Sequence, residues 1–127
     1  YAVFSGRATR SEYWFFVLFN GIVTIALAVI AAALKPAQWP IVIYYLAALL
    51  PSLAVLVRRL HDTGRSGGWV FGAFLAGALM ALSNVFPNYA LIFAIPAFLL
   101  ALIIVAFTIQ DGERGSNRYG PSSKEVQ

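Results

Sequence analysis

The chain has 127 residues, of which 61% are hydrophobic and only 11% charged, with a formal net charge of +4 and a mean hydropathy of +0.79. Soluble domains carry about 25% charged residues, so lipid rather than water must cover most of this apolar surface. The lack of cysteine excludes disulfides and thiolate chemistry, and a lone histidine, His61, argues against a zinc or bis-histidine haem site within one chain.

Four apolar stretches without Asp, Glu, Lys, Arg or His follow in order: residues 14–34, 41–57, 69–86 and 90–109. A helix needs about 20 residues to cross roughly 30 Å of hydrocarbon, and backbone in lipid must satisfy its own hydrogen bonds. All four are therefore predicted to be transmembrane helices, the second and third borrowing residues from their flanks. Arg7 and Arg10 before the first stretch, and Ala31-Ala32-Ala33 near its end, mimic a secretory signal. The apolar run exceeds the roughly 7–15 residues of a signal core, so an uncleaved anchor is expected.

Trp14, Trp39 and Trp69 stand at span edges, where an indole keeps its ring among headgroups. Pro40 suits the first turn of the second helix, whereas Pro51 and Pro96 fall inside the second and fourth and should bend them. Ala73, Gly77 and Ala81 recur along one stripe of the third span, as do Ala28 and Ala32 in the first. Such stripes let helices approach closely, within one chain or between two copies.

Arg7, Arg10, Arg58, Arg59, Arg65, Arg114, Arg118 and Lys124 lie in the amino-terminal segment, the central connection and the tail. Lys35 alone lies in the other two connections. The positive-inside rule then places both termini in the cytoplasm. The expected architecture is all-α, a four-helix transmembrane bundle forming one domain over residues 1–127. Arg10-Ser11-Glu12-Tyr13-Trp14 before the first span parallels Arg65-Ser66-Gly67-Gly68-Trp69 before the third, and Asp62-Thr63-Gly64-Arg65 parallels Asp111-Gly112-Glu113-Arg114. Two tandem helical hairpins in the same orientation would give this repeat, and so would the ordinary use of Arg, Gly and Trp at helix ends.

The polar residues converge on one face, in segments 4–14, 58–69 and 111–121. Gly6-Arg7 with Arg10 and Glu12-Tyr13-Trp14, the run Arg58-Arg59-Leu60-His61-Asp62, and Asn117-Arg118-Tyr119-Gly120-Pro121 resemble the bacterial domain-of-unknown-function family 805. The likeness covers nearly the whole chain, with departures at Gly68, where the family favours a first Trp, and at Ser122-Ser123, where it favours Asp-Pro. It implies a four-span protein of the bacterial inner membrane and brings no established activity.

Arg7, Arg10, Glu12, Arg58, Arg59, His61, Asp62, Arg65, Asp111 and Arg118 are the candidate binding residues of this face. They admit three roles. The arginines can fix topology and reach lipid phosphates while Asp62 and Asp111 neutralise some of them. They can form a discrete site for an anionic headgroup or a partner's cytoplasmic end, Arg58 and Arg59 gripping one ligand from two sides. Catalysis by His61 and Asp62 is the third, but Glu12, Asp62, Asp111, Glu113 and Glu125 are too scattered for two-metal chemistry. A small oligomeric transporter or channel is the alternative class, and proton coupling would need an ionisable group inside the spans, where none occurs.

The expected function is a non-enzymatic accessory, scaffold or lipid-binding protein. Its expected partners are anionic membrane lipids and a membrane protein or second copy, with no cofactor, metal or nucleic acid. At the spacings where helical side chains meet, Asp62 should bond Arg58 or Arg59, and it could also reach Arg10 or Arg7 across the face.

Overall fold

The computed structural model describes residues 2–34 and 39–122. Four helices run Arg10–Leu34 (α1), Trp39–Asp62 (α2), Val70–Val85 (α3) and Ala90–Ile109 (α4), with short 3-10 turns at Gly67–Trp69 and Pro87–Tyr89 leading into α3 and α4. Each helix, with its lead-in turn, is long and apolar enough to cross a membrane. The expected spans lie on these helices. What the apolar pattern did not contain is the charged ends, where α1 begins at Arg10 and α2 runs on through Asp62.

Local chemistry sets both of those ends. Thr9 caps α1: its Oγ1 accepts the Glu12 N–H at 3.1 Å and its carbonyl accepts the Tyr13 N–H at 3.1 Å, a Thr-x-x-Glu start. At the end of α2, Arg65 N–H bonds the Leu60 carbonyl at 2.9 Å and Gly64 N–H bonds the His61 carbonyl at 3.0 Å. That pair of bonds is a Schellman closure, and it needs the left-handed backbone that Gly64 adopts, with φ of 73°. Pro51 and Pro96 sit within continuous helices.

The chain pairs α1 with α2 and α3 with α4, and the two hairpins meet through α2, which touches α4, α3 and the turn at Gly67–Trp69, and through α1 against α4. The close approach of α3 to α4 uses Gly72, where an added Cβ would touch Ile104 and Leu100, together with the buried Ala76 and Ala97. The predicted stripe is offset from it: Ala73 and Gly77 line shallow grooves, and a Cβ on Gly77 would meet nothing within 4 Å. Asn20 bridges α1 and α2, accepting the Tyr44 hydroxyl at 2.6 Å, and the Thr108 side chain near the end of α4 hydrogen-bonds Tyr13 of α1. Ser83 and Asn84 bond back to Met80 on their own helix, and Thr108 to Val105.

Large apolar side chains point outward all round the bundle, Phe15, Phe71 and Leu91 being more than 70% exposed, as a lipid-facing surface requires. The buried residues gather instead at the charged end. Ala8, Ala54, Val55, Leu60 and Ile104 surround Arg59, Asp62, Thr63, Thr108 and Ser122 there. The packing is thus tightest where the helices leave the hydrocarbon. Although the hairpins fit a tandem arrangement, their charged ends are wired differently: Arg10 pairs with Asp111, whereas Arg65 lies over the Phe107 ring.

Both termini of the described chain meet at this end, which the basic asymmetry assigns to the cytoplasm. Single cysteines at the exposed Ser5, Ser66 and Ser116 should be labelled by an impermeant reagent only in inverted vesicles, and one at Asn88 only in intact cells with a permeable outer membrane. Labelling of Ser66 from outside would overturn the orientation. Ser122 is buried and unsuited to the same test, and Ala37, in the connection between α1 and α2, lies outside the described residues.

Candidate functional site

At the centre of the charged end, two guanidinium groups close on one carboxylate. Arg7 Nε donates to Asp62 Oδ1 at 2.9 Å, and Arg59 Nη1 donates to Asp62 Oδ2 at 2.5 Å. The side chains of Arg7, Arg59 and Asp62 are 2%, 0% and 4% exposed. A buried trio with two positive charges and one negative needs further compensation. Backbone carbonyls supply it.

Arg59 donates to the carbonyls of Thr108 at 3.0 Å and Ala8 at 3.3 Å, and to that of Gln110. Thr108 and Gln110 lie at the end of α4, whose last carbonyls have no helical partner and carry the negative end of the macrodipole. Arg59 therefore caps α4 from α2. Arg7 does the same for the tail, donating to the carbonyls of Glu113 at 2.5 Å, Gly115 at 2.7 Å, Asp62 at 3.3 Å and Gly120 at 3.4 Å.

The amino-terminal segment and the tail are also stitched to the end of α2 through the backbone. Ala8 N–H bonds the Arg58 carbonyl at 3.0 Å, and Glu113 N–H bonds that of Asp62 at 2.8 Å. His61 Nδ1 lies 3.1 Å from the Gly6 carbonyl, and its ring stacks on Tyr119 at 3.8 Å. Asn117 donates to the His61 carbonyl and to Glu113 Oε2, each at 2.9 Å. Gly112 has to be glycine here for want of room, because a Cβ would collide with the Asp62 carboxylate that the two arginines hold in place.

The expected site residues thus divide. Arg7, Arg59 and Asp62 form the buried knot, and His61 braces the tail. Arg58 and Arg59 point apart: Arg59 turns inward, while Arg58 Nη1 pairs with Glu12 Oε1 at 3.0 Å near the surface. Arg10 and Asp111 form an exposed pair at 3.4 Å. Arg65 covers Phe107 with its guanidinium carbon 3.9 Å from the ring centre, and the exposed Arg118 lies over Tyr119 at 4.7 Å. Asp62 does meet an arginine one turn back, namely Arg59, and it also meets Arg7 across the face. Reasoning from side-chain types passed over Thr9, Gly112, Asn117 and Tyr119. Of these, Thr9 and Asn117 had a signal, the first as a Thr-x-x-Glu cap and the second as a turn-forming residue three positions before Gly120.

The same residues locate the chain among known proteins. A model of a family described as "Protein of unknown function (DUF805)" matches residues 1–121. The chain belongs to the DUF805 family. Inner membrane protein YhaI of Escherichia coli (strain K12) is 40% identical over 125 residues, covering 98% of this chain and 88% of that protein. Inner membrane protein YhaH of the same strain is 38% identical over 132 residues, covering 98% and 89%. Uncharacterized protein YiiR is 31% identical over 135 residues, covering 98% and 88%. No solved structure matches. The four spans and these relatives make this DUF805 member an integral protein of the bacterial inner membrane. The family match includes the knot residues Arg7, Arg59 and Asp62.

Proposed function

We propose that this protein is a non-enzymatic accessory of the inner membrane, whose rigid cytoplasmic face displays arginines to anionic lipid. One observation carries the reading: the knot consumes Arg7 and Arg59 internally and leaves Arg10, Arg114 and Arg118 exposed around it. Arginine in the interfacial layer binds phosphate through its planar fork and is worth about 1 kcal/mol per residue near an anionic surface. A catalytic role is less well supported, since both carboxylate oxygens of Asp62 are engaged by buried guanidinium groups. Among the described residues no three His, Asp or Glu side chains converge as a metal centre would need. The polar bridge inside the spans, Tyr44 to Asn20, carries no formal charge for proton coupling.

Retention of phosphatidylglycerol by the purified protein in mild detergent tests this reading. Retention should fall steeply with salt, because screening shortens from about 10 Å at 0.1 M to about 3 Å at 1 M. Arg114→Gln with Arg118→Gln should weaken it by about tenfold or more, following the sum of two surface charges. Equal retention at low and high salt would defeat the surface-electrostatic account.

A further inference from the structure

Beside the knot lies a cleft of about 480 Å³, lined by Thr9, Arg10, Ser11 and Trp14 from the start of α1 and by Asp111 and Gly112 after α4, with Arg59 and Asp62 as its floor. Its size falls in the range of about 300–1,000 Å³ typical of small-molecule sites. The floor is committed to itself, since Arg59 and Asp62 bond each other in a fully buried pair. The walls are not locked in this way. Arg10 and Asp111 face each other at 3.4 Å with side chains 54% and 69% exposed, and an ion pair so wet holds the two groups only weakly. Arg10 reaches the Ile109 carbonyl at the long distance of 3.4 Å, and Thr9 and Ser11 add hydroxyls 3.3 Å apart on the same wall.

We propose that this cleft binds the headgroup of a primary-amine phospholipid, with the phosphate on Arg10 and the ammonium on Asp111. A purely anionic headgroup drawn in by Arg10 would bring its phosphate against the Asp111 carboxylate, and like charges at that range repel. A headgroup carrying both signs replaces the loose Arg10–Asp111 pair with two charge-assisted contacts, one on each wall. The source is a lipid because Trp14, at the membrane edge of α1, forms part of the lining, which brings the cleft down to the top of the hydrocarbon. This goes beyond the surface reading above. The surface arginines respond to net charge and salt, whereas the cleft reads the amine.

The test offers the purified full chain, in detergent, phosphatidylethanolamine, phosphatidylcholine and phosphatidylglycerol of matched acyl chains, and counts bound lipids by native mass spectrometry at high salt. Phosphatidylethanolamine should be held most tightly, because the choline ammonium has no N–H to donate to Asp111. Asp111→Asn should weaken phosphatidylethanolamine by about tenfold, the worth of one charge-assisted hydrogen bond, without weakening phosphatidylglycerol. Arg10→Gln should weaken all three from the opposite wall. Melting should fall far less in either variant than in Asp62→Asn, since the pair they break is exposed. Equal retention of phosphatidylethanolamine and phosphatidylcholine, or an Asp111→Asn variant that holds phosphatidylethanolamine as the parent does, would overturn the proposal. Neither result touches the surface reading, which fails separately if phosphatidylglycerol retention ignores salt.

Discussion

Replacing Asp62 with asparagine should destabilise the protein in detergent by about 3–5 kcal/mol, the usual cost of removing one partner from a buried ionic cluster. The side chain keeps its size, so the loss is electrostatic. Arg7 and Arg59 would be left facing each other, with side chains 2% and 0% exposed and carbonyls and the more distant Asp111 carboxylate to offset them. A simple charge swap cannot repair this, because an arginine at position 62 would still face whichever of the two arginines remained. Removing the excess charge can. The double variant Arg7→Gln/Asp62→Asn should therefore be less damaged than the sum of its single changes, with a coupling of about 0.5–3 kcal/mol. Unfolding followed by tryptophan fluorescence reads both effects. An Asp62→Asn variant with the parental midpoint would mean that the knot does not hold this end together.

Arg7→Gln alone should free the tail. The guanidinium gathers the carbonyls of Glu113, Gly115 and Gly120 onto the end of α2, and glutamine is too short and too poor in donors to replace it. Part of the loss is recovered by water, so a net weakening of about 2 kcal/mol is expected, or about thirtyfold in the population of the opened tail. Trypsin finds Arg114 and Arg118 in that segment, and cleavage of an opened segment tracks its equilibrium population when reclosing is fast. Cleavage at these two arginines should accelerate accordingly in inverted vesicles. Arg58→Gln, which breaks the pair with Glu12 and not the tail's contacts, serves as the comparison and should leave the rate near the parental one. Unchanged cleavage in Arg7→Gln would show that His61, Tyr119 and Asn117 hold the tail without it.

Some of this was legible in the residues alone. An uncharged run of about 20 apolar residues must be a helix in lipid, because no other backbone state satisfies its hydrogen bonds there, so the four spans follow from composition and length. Orientation follows from the one-sided arginines, and the start of α1 and the end of α2, which the apolar runs leave out, carry local signals in Thr9 and Gly64, since capping acts over three or four residues. The contact between Arg59 and Asp62 is of the same local kind, one helical turn. By contrast, Arg7 meets Asp62 across 55 positions and the Gly115 carbonyl across 108, and nothing in the segments themselves specifies those meetings. They exist because two hairpins bring the chain's start, its middle and its tail to one end of the bundle. Which arginines become internal and which stay near the surface was likewise decided by the fold: Arg58 and Arg59 are chemically identical neighbours, and a rotation of about 100° between successive helical residues sends one to the surface and the other into the core.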